Sequence, residues 1–500
     1  MSVSNNTKSL LMAFGAALAL AGCGGGADKI VSPGIPANPP PTVPPPPPPA
    51  PPPAPPAGET AVCPSGTIDQ GTFANGVWRA CRLPSQILGT LTLSKVAGVA
   101  YQIQGQVNVG QDQLGDKNVN DPSKKGVLNI GAGVTLFASS GPDVLLVQRG
   151  SQLFALGTKA EPITFTSRQD LEGSSSAGKY NWGGVVLMGR APVTECTGGP
   201  VYGDANCQGA VEGVSNAFGG GNDPTDNSGE ITYTRVLNSG FVLGTANELQ
   251  SLTLVGVGNG TKIDYFQSHF SGDDGIEIFG GTVNLKHIVI SEADDDGVDA
   301  DWGWNGGIQY GLVIRKTRAV KTPGDSGSGF EWSTQNNRTP NTEPKVANIT
   351  IYSTDPGLDT LVKINSSTRA HIWNSVFVAA PTTNEKRAEA AFLFDSNITS
   401  LELLSNHFAS KTLFNENVVG SITVDTASAG RYSAALTSNA GTVFNTTSTL
   451  NPSSFVPGAN ENAVTPINAK AMYSFFDNTT YIGAVKDAGD TWWQGWTVGL

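Results

Sequence analysis

Apolar and polar positions along this chain change over in short runs. Segments rich in Val, Ile, Thr and Phe at 127–137, 144–155, 163–166, 185–187, 346–352, 371–378 and 422–424 are each flanked by Gly, Asn, Ser or Asp. Short β-branched runs between turn formers predict strands, not helix pairs. Between 190 and 228 the pattern gives way to a stretch containing Gly and Cys, expected to be a long loop projecting from one edge.

An internal repeat organises these strands. Asp273-Asp274-Gly275-Ile276-Glu277-Ile278 recurs after 22 residues as Asp295-Asp296-Gly297-Val298-Asp299-Ala300, and Ile288-Val289-Ile290 matches Leu312-Val313-Ile314. Asn259-Gly260-Thr261-Lys262-Ile263 opens a similar unit one step earlier. A period of this size marks a solenoid whose turns are sets of strands, which predicts an all-β parallel β-helix. The expected organisation is a cap region at 61–125, the helix at 126–470 and a C-terminal cap at 471–500.

The first 60 residues follow different rules. The apolar stretch from Leu10 to Leu20 has the length of a signal-peptide core and is too short to span a bilayer. It ends in Leu20-Ala21-Gly22-Cys23, which looks like a lipobox, so 1–22 is expected to be removed and Cys23 to carry acyl chains, palmitate among them. Gly24 stands where an inner-membrane retention signal would place Asp, which favours the outer membrane, with the cell surface as the preferred face. Within the linker at 23–60, the stretch from Ser32 to Pro56 is dominated by proline and cannot bury a core. As polyproline II it would reach up to roughly 80 Å.

Composition narrows the remainder. The net charge of −12 argues against a nucleic-acid partner. Besides Cys23, four cysteines form two local pairs, Cys63 with Cys81 and Cys196 with Cys207, and export favours disulfides over zinc, for which the spacing is wrong.

Several motifs, in order, carry a resemblance. They are Pro162-Ile163-Thr164-Phe165-Thr166-Ser167, Trp182-Gly183-Gly184-Val185-Val186, Asp226-Asn227-Ser228-Gly229, Gly256-Val257-Gly258-Asn259-Gly260-Thr261 leading into Gly272-Asp273-Asp274-Gly275-Ile276-Glu277, and a closing Tyr481-Ile482-Gly483-Ala484 with Trp492 to Trp496. Together they resemble a family of Gram-negative surface lipoproteins with a right-handed parallel β-helix. The resemblance implies a setting beside TonB-dependent outer-membrane receptors, and no reaction.

The candidate chemistry is concentrated in one window. Asp273 to Asp301 holds nine carboxylates and one lysine, Lys286, and so most of the net negative charge. If Ile276 and Ile278 point inward, Glu277 faces solvent, as do Asp299 and Asp301 one rung later. The 22-residue register then stacks Asp273 on Asp295, Asp274 on Asp296 and Glu277 on Asp299. Like charges about 4.8 Å apart repel by around 1 kcal/mol in water and more near a protein surface. Calcium, a hard cation that takes flexible carboxylate sets, would offset this. The competing expectation is turn chemistry, in which each Asp bonds its own backbone two residues on. Asp223, Asp226 and Asn227 form a weaker second set with the same two readings.

Trp302 and Trp304, two apart in an extended strand, are expected to share a face beside the acids and offer a surface for a carbohydrate or metal-complex ligand, or to be structural. Trp492, Trp493 and Trp496 form a second cluster, expected to cap the open end of the solenoid core, with a binding surface as the alternative. Arg315-Lys316 after a strand is faintly similar to the basic motif of galacturonan hydrolases. The Gly-His-Gly element between acids and base is missing, because His287 sits in an apolar strand and the next histidine is His371. The function expected is a non-catalytic binding module on the outer membrane. A polysaccharide lyase or glycoside hydrolase, and a structural adhesin, are the alternatives.

Overall fold

The computed structural model describes residues 57–500 apart from 175, 245–246, 317–326, 356–357, 359, 380–389 and 415–425. Cys23, the signal segment, the linker up to 56 and the strand expected at 422–424 lie outside the described residues.

Aliphatic residues recurring once per rung build the core. Ile231, Ile263, Leu285, Ile308, Val346, Ile372 and Leu403 pair in sequence across successive parallel strands, and all are buried. A second column, Leu252, Ile276, Val298, Phe330, Val362 and Phe392, does the same on another face. Each such side chain contributes roughly 1.5–3 kcal/mol on leaving water. Among the described residues the result is a parallel β-helix with one 19-stranded and one 11-stranded sheet, beside a two-stranded antiparallel pair.

The larger sheet is folded along a line, giving the helix three faces. The long strands Gly229–Leu237, Lys262–His269, Asn284–Ser291, Gly307–Arg315 and Lys345–Ser353 cross that line. Each turns there through one left-handed residue: Tyr233, Tyr265, His287, Tyr310 or Asn348, with φ between 43° and 63°. Bulky residues rarely adopt this backbone. Here the strain is offset by stacking, since the rings lie 4.3 Å apart from Tyr233 to Tyr265, 4.3 Å from Tyr265 to His287 and 4.7 Å from His287 to Tyr310.

Three boundaries differ from the sequence expectation. Parallel pairing already begins with Trp78–Arg82 against Val99–Ile103, so the cap is the hairpin of Ile68–Phe73 with Trp78–Arg82, not 61–125. The solenoid closes at Val443–Asn445, short of 470. The C-terminal segment then runs back along the outer side: Gly483 N–H donates to the Asn374 carbonyl, Asp477 N–H to Gln309, Val498 N–H to Gln267, and Lys159 to the Thr491 carbonyl. The tryptophan trio accordingly does not cap the open end. Trp496 meets the rings of Tyr233 and Tyr265 edge-on at 5.6 and 6.2 Å, and Trp492 that of His287 at 5.2 Å. The end-cap expectation failed because the aromatic line left an apolar stripe on the side, and the returning strap covers it.

Both disulfides are present, Cys63–Cys81 beside the N-terminal hairpin and Cys196–Cys207 within the 190–228 excursion. That excursion does not project. Val193, Cys207, Val211 and Ala217 pack on Val144, Leu146, Val186, Met188 and Val255 of the 11-stranded sheet. Outward apolar side chains on these strands demanded a cover, and the excursion supplies it.

Candidate functional site

The outer face of the 11-stranded sheet carries a single row of residues in register. It runs Gln86, Asn108, Leu146, Val186, Thr253, Glu277, Asp299, Glu331, Lys363, Leu393. Because Ile276 and Val298 fill the core, Glu277 and Asp299 point outward, as the alternation requires. Outward is not exposed, however. Glu277 keeps only 9% of its surface, and the Glu277 Oε2 and Asp299 Oδ1 atoms are shielded from solvent without a hydrogen-bond partner. The expected solvent-facing position of Glu277 is thus corrected. Glu212 of the excursion lies close enough to raise its carboxyl further.

The corner preceding these strands brings in the other acids. Asp274 Oδ1 accepts the Asp296 N–H at 2.8 Å, and Asp296 Oδ1 in turn accepts the Ser328 N–H. Each aspartate therefore clamps the backbone of the next rung, not its own backbone two residues on. Gln250 donates to Asp273 at 3.1 Å. Carboxylate oxygens of Asp273, Asp274 and Asp295 lie within 4.8 Å of one another, as do those of Asp274, Glu277 and Asp299, with Asp274 common to both groups. Burial first, then the neighbouring carboxylates, holds Asp273, Asp274, Glu277, Asp296 and Asp299 well above the usual carboxylate range. Asp301 is raised by burial, opposed by the N–H groups of Gln335 and Trp302 and the Ser333 hydroxyl. At the end of the row, burial would lower the Lys363 ammonium, but Glu331, Asp296 and Asp395 outweigh it and raise it.

This donor set fits a hard cation. All its ligand atoms are carboxylate oxygens, and an ion bound at about 2.3–2.6 Å spans oxygens no farther apart than these. Asp273, Asp274 and Asp295 would hold an ion at one cluster, and Asp274, Glu277 and Asp299 at the other. The two shielded, unpartnered oxygens are the atoms most in need of a positive partner.

The sequence model of the pectate-lyase-like β-helix domain matches residues 102–497. The chain belongs to that family. No curated protein and no solved structure matches it.

Within a pectate-lyase-like β-helix, a basic residue beside the acids would be the natural candidate for proton abstraction, and Arg315 does not serve. It is buried, donating to the carbonyls of Asp295 and Asp294 at 2.6 and 3.3 Å and to Asp355 at 3.3 Å, so it fixes a corner. Lys286 is drawn away to Asp477, and Lys363 is bound to Glu331. His287 is stacked in the aromatic line with Nδ1 on Asp264.

The two tryptophans do not form the expected exposed face. The strand Val298–Asp301 ends before them, and left-handed Trp302 and Gly303, at φ 50° and 80°, send the side chains apart. Trp302 lies under the excursion, 4.6 Å from Phe279, with Nε1 on Gln335. Trp304 is fully buried in the solenoid core and donates to the Val283 carbonyl. The backbone turn, invisible in an assumed extended strand, decides this.

In the excursion, Asp223 and Asn227 follow turn chemistry. Asp223 accepts from the N–H and hydroxyl of Thr225, and Asn227 from Gly229 N–H. Asp226 is buried beside Ser228, and burial pushes its carboxyl up to about 6. Sequence reasoning missed Glu331 and Lys363 as members of the row, because the rung spacing lengthens from 22 to 32 residues between Val298 and Phe330.

Proposed function

We propose that this β-helix is a non-catalytic binding module whose buried carboxylate ladder holds a structural divalent ion, calcium by preference. The observation that carries this reading is the burial of the acids. Glu277 and Asp299 have shielded oxygens without partners, and no free basic side chain stands beside them among the described residues. Acids shielded this way suit a small ion better than a polymer chain.

The lipobox-like Cys23 and the proline-rich linker support an exported protein tethered to the outer membrane, at the cell surface, working beside a TonB-dependent receptor to capture a carbohydrate or metal complex. Cys23→Ser should release the protein from the membrane fraction, and a receptor should co-purify from solubilised outer membranes.

The test of the non-catalytic assignment is direct. Calcium-loaded protein is incubated with polygalacturonate while unsaturated products and reducing ends are followed. The expected result is no turnover. Release of either product, abolished by Glu277→Gln, would replace this reading with the enzyme.

A further inference from the structure

The same outward row that carries the acids ends, at the N-terminal rungs, in amides. Gln86 pairs with Asn108 in register, Gln106 lies two residues before Asn108 on the same face, and Gln148 follows the outward Leu146 on the next strand. With Ser215 and Asn216 from the excursion as the facing wall, these side chains line a cleft of about 510 Å3. That volume falls within the range of small-ligand sites.

The amides hold one another in fixed orientations. Gln106 Nε2 donates to Asn108 Oδ1 at 3.0 Å and to the Ser215 carbonyl at 2.9 Å, while its Oε1 accepts the Ser215 N–H at 2.9 Å. Gln148 Nε2 donates to Asn108 Oδ1 at 3.2 Å and to the Asn216 carbonyl at 3.4 Å. This leaves Gln148 Oε1 shielded from solvent with no partner, on a residue only 5% exposed. A buried acceptor without a partner calls for a donor, and the cleft it borders is where one would come from.

Charge defines the chemistry of the donor. Asp112, the one acid on the wall, is neutralised by fully buried Arg149, with Nε on Oδ1 at 2.7 Å and an Nη on Oδ2 at 2.6 Å. Among the described residues no lysine or arginine lines the cleft, so it offers a polyuronate or phosphate no cationic partner. The central lining strand Gln106–Val109 is paired on both sides and offers a peptide no free edge. Side-chain amides, each both donor and acceptor, match hydroxyl groups, which are also both.

We infer that this amide cleft is a binding site for an uncharged saccharide, one hydroxyl of which donates to Gln148 Oε1. It gives the proposed binding module a ligand site separate from the carboxylate ladder. It rests on that reading only for its non-catalytic role, so its failure would leave the metal assignment standing.

The test is calorimetric titration of the full chain, with calcium present, against cellotriose, maltotriose, laminaritriose, mannotriose and β-galactotriose, with trigalacturonate and triglycine as controls. At least one neutral trisaccharide should bind with a dissociation constant below about 1 mM. Gln148→Leu, which keeps the volume, should weaken it by about tenfold or more. Asn216→Gly, which suits the left-handed backbone at φ 52° and leaves the buried packing alone, should weaken it without changing the melting temperature. The inference is overturned if no neutral sugar binds, if trigalacturonate or triglycine binds as well as the best of them, or if both variants bind like the wild type.

Discussion

Glu277 lies directly beside Asp299 on adjacent parallel strands, each with a carboxylate oxygen that is shielded and unpartnered. Two such groups one strand spacing apart repel whenever both are ionised. Replacing them together with Gln and Asn preserves shape and removes both charges. The double variant should therefore melt higher than the wild type in chelator and gain much less from calcium. Equal calcium responses in the two proteins would count against the pair as ligands.

The buried acids also set the pH dependence. A carboxyl whose folded pKa is raised favours the folded state at low pH, and its contribution is lost as pH rises from the unfolded value through the folded one. For Asp226, at about 6 when folded, that window runs from about 4 to 6 and is worth roughly 3 kcal/mol. In chelator, urea unfolding of the wild type should show stability falling across this range. Asp226→Asn should flatten that part of the fall, while the ladder acids continue it to higher pH. Parallel pH profiles for the two proteins would refute the assignment to Asp226.

Cys196–Cys207 staples the excursion that covers Leu146 and Val186. Closing so short a loop stabilises by about 3 kcal/mol in the chain-entropy model. Cys196→Ala with Cys207→Ala should lower stability by that order and speed hydrogen exchange across 190–228. Exchange unchanged there would mean that apolar packing alone holds the cover.

The returning strap should matter as much as a core element. Trp496 is almost fully buried against Tyr233 and Tyr265, so Trp496→Ala should cost about 3–5 kcal/mol. Protection from exchange should fall in 229–237 and 262–269, in mid-solenoid. Loss confined to the last rung at 443–445 would instead restore an end-capping role.

The solenoid was legible because inward positions obey a strict alternation. The 22-residue repeat placed Glu277 on Asp299 and Asp274 on Asp296, and the two local cysteine pairs foretold the disulfides. What the sequence hid was long-range cover. Nothing in the spacing of Trp302 and Trp304 reveals a left-handed turn between strand and core, and nothing local to Trp492 or Trp496 shows which face of the solenoid they reach. The row from Gln86 to Lys363 was equally hidden, because its members stand 22 to 67 residues apart at irregular intervals.

The central claim is that a divalent ion occupies the carboxylate ladder. An ion that binds only the folded state stabilises it by about 2.7 kcal/mol at a hundredfold excess over Kd. The most direct measurement is the melting temperature of the wild-type protein in calcium and in chelator at neutral pH, paired with elemental analysis of the purified protein. A higher melting temperature in calcium, with about one bound ion per chain or per oxygen cluster, is the predicted result. A melting temperature that chelation leaves unmoved, with no ion bound, would contradict it and leave Asp274 and Asp296 as corner clamps beside protonated neighbours.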